Sequence, residues 1–249
     1  MDLVQLGSQT ARNGFKNEQD VANRFNNWKN SCEAQKWLQI MGFDISKIEK
    51  VKAVVLSGYK TDVNVQVFIF SQSAVDIRNI QVKLVSNRRG FNQIDKRWVR
   101  NYQEMWHFNE EILTLLQFFT GERKPYRTDT KSKKRMFMTE FTQQEQSLIL
   151  DWFKKNKMLV LIDIIRGRGE FAAEWVLVAQ KIQDNARWVL KNINDVLQHY
   201  SEGNVEISPR GSIKLGRVTI QSKGGDNGRP TANMLQFKID PTELFDINY

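Results

Sequence analysis

The sequence predicts an α/β fold, and three observations carry that reading. Residues 62–70 and 77–85 alternate apolar and polar side chains with the period of half-buried strands. Segments 15–28, 97–119 and 186–200 instead place apolar residues at helical spacing. The two patterns are interspersed along 249 residues in which 41% are hydrophobic and 11% aromatic, enough to close a substantial core.

In chain order, Phe15, Val21, Ala22, Phe25 and Trp28 form one face of a first helix, and residues 33–41 a second. Residues 52–58, 62–70 and 77–85 follow as a three-strand meander, with 71–76 as the turn between the last two. The longest helix is expected over 97–119, from Trp98 to Phe119. Residues 121–135 are polar, basic and hold Pro125, so they form a loop. Thr142 and Glu145 have capping-box spacing ahead of Leu148, Ile149 and Trp152. Met158–Ile165 is expected as a buried strand with 171–180 as its partner, and 186–200 as an amphipathic helix. Strands near 204–208, 212–221 and 232–239 complete the chain. Neither repeats nor low-complexity tracts appear, so residues 1–249 are expected as a single domain, the basic loop 121–135 being the candidate subdomain joint.

Charge narrows the partner. The 37 Lys and Arg against 28 Asp and Glu give a formal charge of +9. The excess is clustered: residues 123–135 hold Arg123, Lys124, Arg127, Lys131, Lys133, Lys134 and Arg135 against Asp129 alone. Residues 88–100 hold Arg88, Arg89, Lys96, Arg97 and Arg100 against Asp95. Clustering of this kind points to a polyanionic partner. A single cysteine, Cys32, excludes intrachain disulfides and Cys-based zinc sites, and is expected as a small buried residue. His107 and His199 stand alone and are expected to be structural. Neither a signal-peptide pattern nor an apolar run of membrane-spanning length is present, which suits the reducing cytoplasm.

The hairpin carries the chemistry. Val63, Val65, Val67 and Ile69 share one face, leaving Asp62, Asn64 and Gln66 on the other; on the next strand Gln81 and Lys83 oppose Ile80, Val82 and Leu84. Antiparallel pairing across 71–76 makes paired numbers sum to roughly 143–147, so Asp62 falls opposite Gln81, Lys83 or Val85. An acid, an amide oxygen and an ammonium on one polar face can hold a divalent cation beside an attacking water, a device for phosphodiester hydrolysis. The same alternation also fits an ordinary hairpin with a solvated polar face.

Lys60-Thr61-Asp62 followed by Gln81-Val82-Lys83 resembles the active-site signature of the PD-(D/E)XK nuclease superfamily. The stretches Ala53–Lys60, Asn79–Asn87, Gly90–Asp95, Phe171–Trp175 and Asn233–Pro241 are similar to type II restriction endonucleases that cut GCGC after its first guanine, and the likeness runs from Leu3 to Ile247. The resemblance implies a central mixed β-sheet flanked by helices, and Mg²⁺-dependent cleavage of double-stranded DNA to 5′-phosphate ends with a two-base 5′ overhang. It also implies a cognate methyltransferase as genetic companion. A palindromic target favours a homodimer, although a monomer nicking each strand in turn serves equally. Thr61 stands where the superfamily usually has Pro, and Gln81 where it has Glu or Asp. A Gln carbonyl ligates Mg²⁺ without charge; the GCGC-cutting kind is similar in carrying Gln here.

On this reading Asp62 is the principal metal ligand, Gln81 adds its side-chain oxygen and Val82 its backbone carbonyl. Lys83 orients the water or stabilises charge on the phosphate. One Asp is thin for Mg²⁺, so Glu18 on the first helix is the candidate for a further carboxylate, with Glu49 and Asp76 behind it; an exposed acid favoured by the helix dipole explains Glu18 equally. DNA reading is expected from Asn87–Arg97. Asn92, Gln93 and Lys96 supply base-edge groups, and Arg88 and Arg89 phosphate clamps. Phe91 either wedges between base steps or anchors the loop through Trp98. The glycine-rich basic stretch 209–229 is a second DNA-reading arm or a hairpin with a flexible tip. Two rival functions stay open: a structure-directed repair or nicking nuclease, and a DNA-binding module whose nuclease core is inactive.

Overall fold

The computed structural model describes residues 3–56, 65–71, 74–225 and 229–247. The helices are α1 (Leu3–Asn26), α2 (Cys32–Ile40), α3 (Val99–Trp106), α4 (Glu110–Thr120), α5 (Gln143–Lys155), α6 (Lys157–Leu161) and α7 (Ile193–Ser201). The strands are β1 (Ile48–Val55), β2 (Val65–Ser71), β3 (Val75–Val85), β4 (Asn92–Arg97), β5 (Trp175–Ile182) and β6 (Asn185–Asn192), then β7 (Val205–Ile207), β8 (Ile213–Leu215), β9 (Val218–Ser222) and β10 (Leu235–Ile239). The chain folds as two compact units. One holds Met1–Gly7, Phe91–Ile164 and Leu197–Ile239; the other holds Ser8–Gly90, Ile165–Val196 and Asp240–Tyr249. Residues 121–135 lie inside the first of these, away from every passage of the chain between units.

The Ser8–Gly90 unit is built on a five-stranded sheet of order β1-β2-β3-β5-β6. The sheet is mixed: β3 pairs parallel with β5, and every other neighbour antiparallel. Between β2 and β3 the register runs from Val65↔Ile80 to Phe70↔Val75, a constant sum of 145 that falls in the expected window. The alternation expected for β2 holds, since Val65, Val67 and Ile69 are fully buried while Gln66, Phe68 and Phe70 are not. Val21, Phe25, Trp37 and Leu38 from α1 and α2 cover that face, together with Ile80, Val82, Leu177 and Leu190. Each fully buried side chain of this size contributes about 1.5–3 kcal/mol, so this core fixes β3 firmly. Phe15, expected on the buried face of α1, is half exposed, because the apolar stripe that meets the sheet starts at Val21. Cys32 is exposed rather than buried, lying in the first turn of α2 behind its Ser31 cap.

The other unit carries an antiparallel sheet of order β4-β10-β9-β8-β7. Its core is aromatic. Tyr102 stacks on Trp106 at 4.6 Å, and Phe237 meets both edge-on at 5.3 and 5.8 Å. The single helix expected over 97–119 is two helices. His107 takes a left-handed conformation (φ 55) that closes α3, and the Asn109 side chain accepts from Ile112 N–H to start α4. The capping box on α5 is present, Thr142 and Glu145 exchanging side chain-to-backbone bonds. Met158–Ile165, expected as a strand, is α6 followed by a π-helical turn, Ile162–Arg166. Its buried residues, Val160, Leu161, Ile164 and Ile165, recur at helical spacing, a pattern that a short apolar run does not separate from a strand.

The expected helix 186–200 is strand β6 through Asn192, which pairs along all of β5, and only then helix α7. Strand 212–221 is a hairpin, β8 and β9, turned at Gly216. There φ is +60, and a Cβ would sit 2.6 Å from the Tyr200 carbonyl, so only glycine fits. Among the described residues no helix is long and apolar enough to cross a membrane.

Candidate functional site

Asp62, with Lys60 and Thr61, lies outside the described residues. The remaining members of the proposed constellation sit on β3 and α1. Gln81 and Lys83 are two residues apart on β3, opposite Val176 and Val178 of parallel β5, and so share one side of the strand. Gln81 is 1% exposed, and its Oε1 has no hydrogen-bond partner among the described residues. A buried carbonyl oxygen left in this state costs about 1–3 kcal/mol, and it is the donor atom a hard cation takes. The residue that departs from the expected acidic pattern thus has an oxygen without a hydrogen-bond partner among the described residues. No group of three or more His, Cys, Asp or Glu side chains gathers among the described residues.

Glu18 stands where Lys83 acts on it. Burial pushes the Glu18 carboxyl above its ordinary value, and the Lys83 ammonium pulls it back down. The two residues are therefore electrostatic neighbours, although they belong to a helix and a strand 65 positions apart. Glu49 is exposed on β1, and Asp76 is paired with Arg78 at 3.2 Å near the start of β3.

The start of the Gln81 strand is held by a residue that sequence reasoning missed. Asn79 is buried and uses its whole side-chain amide: Nδ2 donates to the Glu170 and Ala172 carbonyls at 2.8 and 3.2 Å, and Oδ1 accepts from Gln66 Nε2 at 3.0 Å. Its backbone N–H donates to the Glu174 carboxylate at 2.9 Å. The end of β3 is held similarly. Buried Gln180 donates to the carbonyls of Asn87 and Arg88 at 2.6 and 3.1 Å, and Asp240 accepts from Gly90 N–H at 3.0 Å. A Cβ on Gly90 would approach Val85 Cγ1 to 2.8 Å, so a side chain here forces the Val85 side chain or the turn to shift. Arg88 and Arg89 remain exposed on this anchored turn. Polar residues such as Asn79 and Gln180 give no signal in a single sequence, because their partners lie 91–93 positions away.

The segment expected to read DNA is not a loop beyond Phe91. Asn92–Arg97 is strand β4, paired with β10. Gln93 pairs with Lys238, Asp95 with Phe237 and Lys96 with Gln236, so the register slips by one at Ile94. That bulge places Gln93 and Lys96, three residues apart, on the same face with Gln236 and Lys238. Asp95 faces the aromatic core instead, where its carboxylate accepts from Tyr102 Oη at 2.5 Å and from Arg97. Asn92 is partly exposed opposite Ile239. Gln236 Nε2 donates to Gln93 Oε1 at 2.7 Å. Phe91 is 49% exposed, with the Lys238 ammonium 4.7 Å above its ring. Burial pushes the Lys238 ammonium below its ordinary value. Lys238 and Gln236 were not singled out from sequence; both are separated from Gln93 by more than 140 positions.

Comparison with known proteins agrees with this architecture. A family model described as R.HinP1I restriction endonuclease matches residues 41–245. The fold is similar to a crystal structure of restriction endonuclease MspI in complex with its cognate DNA, with a TM-score of 0.65 and 14% identity over 96% of this chain and 93% of that one. A search of curated proteins gives no match.

Proposed function

The chain belongs to the R.HinP1I restriction endonuclease family and is a type II site-specific deoxyribonuclease, and on that premise we propose that it cuts double-stranded DNA at GCGC after the first guanine in a Mg²⁺-dependent reaction. The observation that carries the site assignment is Gln81 Oε1, a buried oxygen without a partner among the described residues, two positions before Lys83. Restriction endonucleases generally work with divalent metal ions, and the donor set here is all oxygen, which suits Mg²⁺. Asp62, Gln81 Oε1, the Val82 carbonyl and Glu18 are the groups that would hold the ion. When bound, it supplies Lewis-acid polarisation of the scissile phosphate and a lowered pKa for water.

The protein's own groups then have separate tasks. Lys83 orients the attacking water and stabilises negative charge building on the phosphate oxygens. Glu18, an electrostatic neighbour of Lys83, would help to position that ammonium. Water oxygen attacks phosphorus in line as the bond from phosphorus to the 3′ oxygen breaks, leaving a 3′-hydroxyl, a 5′-phosphate and a two-base 5′ CG overhang. Arg88 and Arg89 clamp phosphates from the anchored turn. Gln93 and Lys96 present donors from the bulged strand, suited to the N7 and O6 acceptors of guanine, with Asn92 beside them. Phe91, whose ring is half exposed, would wedge between base steps. That MspI was crystallised on its cognate DNA supports a duplex as the substrate. A methyltransferase protecting the same sequence is the expected genetic companion, and a homodimer suits the palindrome.

Digestion of DNA of known sequence with Mg²⁺, followed by sequencing of the ends, tests this reading. Cuts confined to GCGC after the first G are expected. Cuts at another fixed sequence would overturn the target, and scattered or lesion-directed cuts would favour the repair-nuclease alternative.

A further inference from the structure

Two basic segments that the reaction leaves unused come together in the Phe91–Ile164 and Leu197–Ile239 unit. Lys124, Ser132, Lys133, Lys134 and Arg135 from the loop after α4, with Arg229 ahead of β10, line a cavity of about 460 Å³. Its frame is built rather than incidental. Ser222 Oγ donates to the Thr120 carbonyl at 2.8 Å, Lys223 N–H to Met234 and Gly224 N–H to Ala232 (both 2.8 Å), and Met136 N–H to Phe118 at 2.9 Å. Gly224 and Gly225 line the same cavity in left-handed conformations (φ 63 and 65), which lets bare backbone face into it.

Among the described residues, the five charges on this frame lack ion-pair partners, and no Asp or Glu lines the cavity. Arg135 is partly buried with its guanidinium 4.1 Å over the Phe137 ring. The nearest acid acting on it, Glu140, has its oxygens engaged by the N–H groups of Lys131 and Phe137. Five like charges around one concavity repel each other, and an entering anion relieves that repulsion. Arginine forks and lysine ammoniums suit a tetrahedral oxyanion.

We propose that this cavity is a phosphate-binding site, separate from the cleavage chemistry, whose ligand is a phosphodiester of the DNA backbone. The choice of DNA over a free phosphate rests on the endonuclease reading above. The site adds to affinity without reading sequence, because backbone phosphates are the same at every base pair.

The test uses the full-length protein and a Lys124→Ala/Lys133→Ala/Arg229→Ala variant, whose altered side chains are all exposed. Binding to a duplex with GCGC and to one without it is measured without metal across a salt series. The variant is expected to bind both duplexes more weakly by the same factor. Its slope of log K against log salt should be shallower by about 0.9 for each phosphate it no longer neutralises, and its cleavage rate at saturating DNA should be unchanged. A parallel arm measures thermal stabilisation by inorganic phosphate. Unchanged DNA slopes with a lost phosphate effect would overturn DNA as the source while keeping the site. No change in either arm would overturn the site itself. Failure of the parent protein to bind or cut any DNA would sink the endonuclease reading alone, since the phosphate arm reports on the cavity independently.

Discussion

Gln236 donates its Nε2 hydrogen to Gln93 Oε1 across the β4–β10 pair at 2.7 Å. On the proposed assignment of Gln93 to DNA reading, this bond sets which atoms it would offer. With its oxygen engaged, Gln93 would present its amide N–H donors, which match guanine acceptors and mismatch the cytosine amine.

Gln236→Leu is therefore expected to relax discrimination rather than abolish cleavage. Gln236 Oε1 is itself buried without a partner among the described residues, so the substitution removes an unsatisfied atom along with a bond and should stay within about 1 kcal/mol of the parent in stability. Cleavage rates on GCGC and on duplexes with one base pair changed provide the check. An unaltered ratio between them would count against the orienting role.

Replacing Gln81 by Glu should separate metal binding from folding. Gln81 is buried, so the new carboxylate lacks solvation until a cation arrives. In a chelating buffer Gln81→Glu should lose about 1–3 kcal/mol, seen as a lower melting temperature. Added Mg²⁺ should recover it, and half-maximal cleavage should need less Mg²⁺ than in the parent. An equal or higher Mg²⁺ requirement would remove Gln81 from the ligand set.

The raised Glu18 carboxyl predicts a pH-dependent stability. Below its ordinary value of 4.5 the group is protonated in both folded and unfolded chains and contributes nothing. As pH rises through the raised folded-state value, the chain must bury part of a carboxylate, and stability is lost. Glu18→Gln without metal should therefore melt higher than the parent at pH 7, with the gain shrinking to nothing near pH 4. Melting curves at the two values suffice; a gain that persists in acid would assign the effect to something other than ionisation.

Asn79→Ala tests whether the anchor of β3 matters to the chemistry. The substitution leaves two carbonyls and the Gln66 amide without their partner, at about 2–3 kcal/mol in total. Cleavage at saturating DNA should slow while the proposed GCGC preference is kept, since the residues proposed to read it lie on β4. Stability loss at full cleavage rate would make Asn79 purely structural.

Much of the fold was legible because local pattern and tertiary burial agree. Val65, Val67 and Ile69 alternate in the sequence and are buried in the sheet, and the Thr142–Glu145 box starts α5 where its spacing says. Expectation and structure part where two conformations share one pattern. Met158–Ile165 is apolar enough for either a strand or a buried helix, and the apolar spacing from Trp98 to Phe119 hides the break that His107 and Asn109 make. At the site, Gln81 and Lys83 are visible as neighbours on a strand. The bulge at Ile94 that aligns Gln93 with Lys96 depends on pairing with β10, some 140 positions away, and no local feature announces it.

The most direct test compares the parent with Lys83→Ala on one GCGC duplex, scoring cleavage with Mg²⁺ and binding without it. If Lys83 works on the reacting phosphate, the variant binds DNA with nearly the parent's affinity and salt dependence yet leaves both strands whole. Cleavage by the variant at the parent's rate would contradict the assignment of this strand to the chemistry.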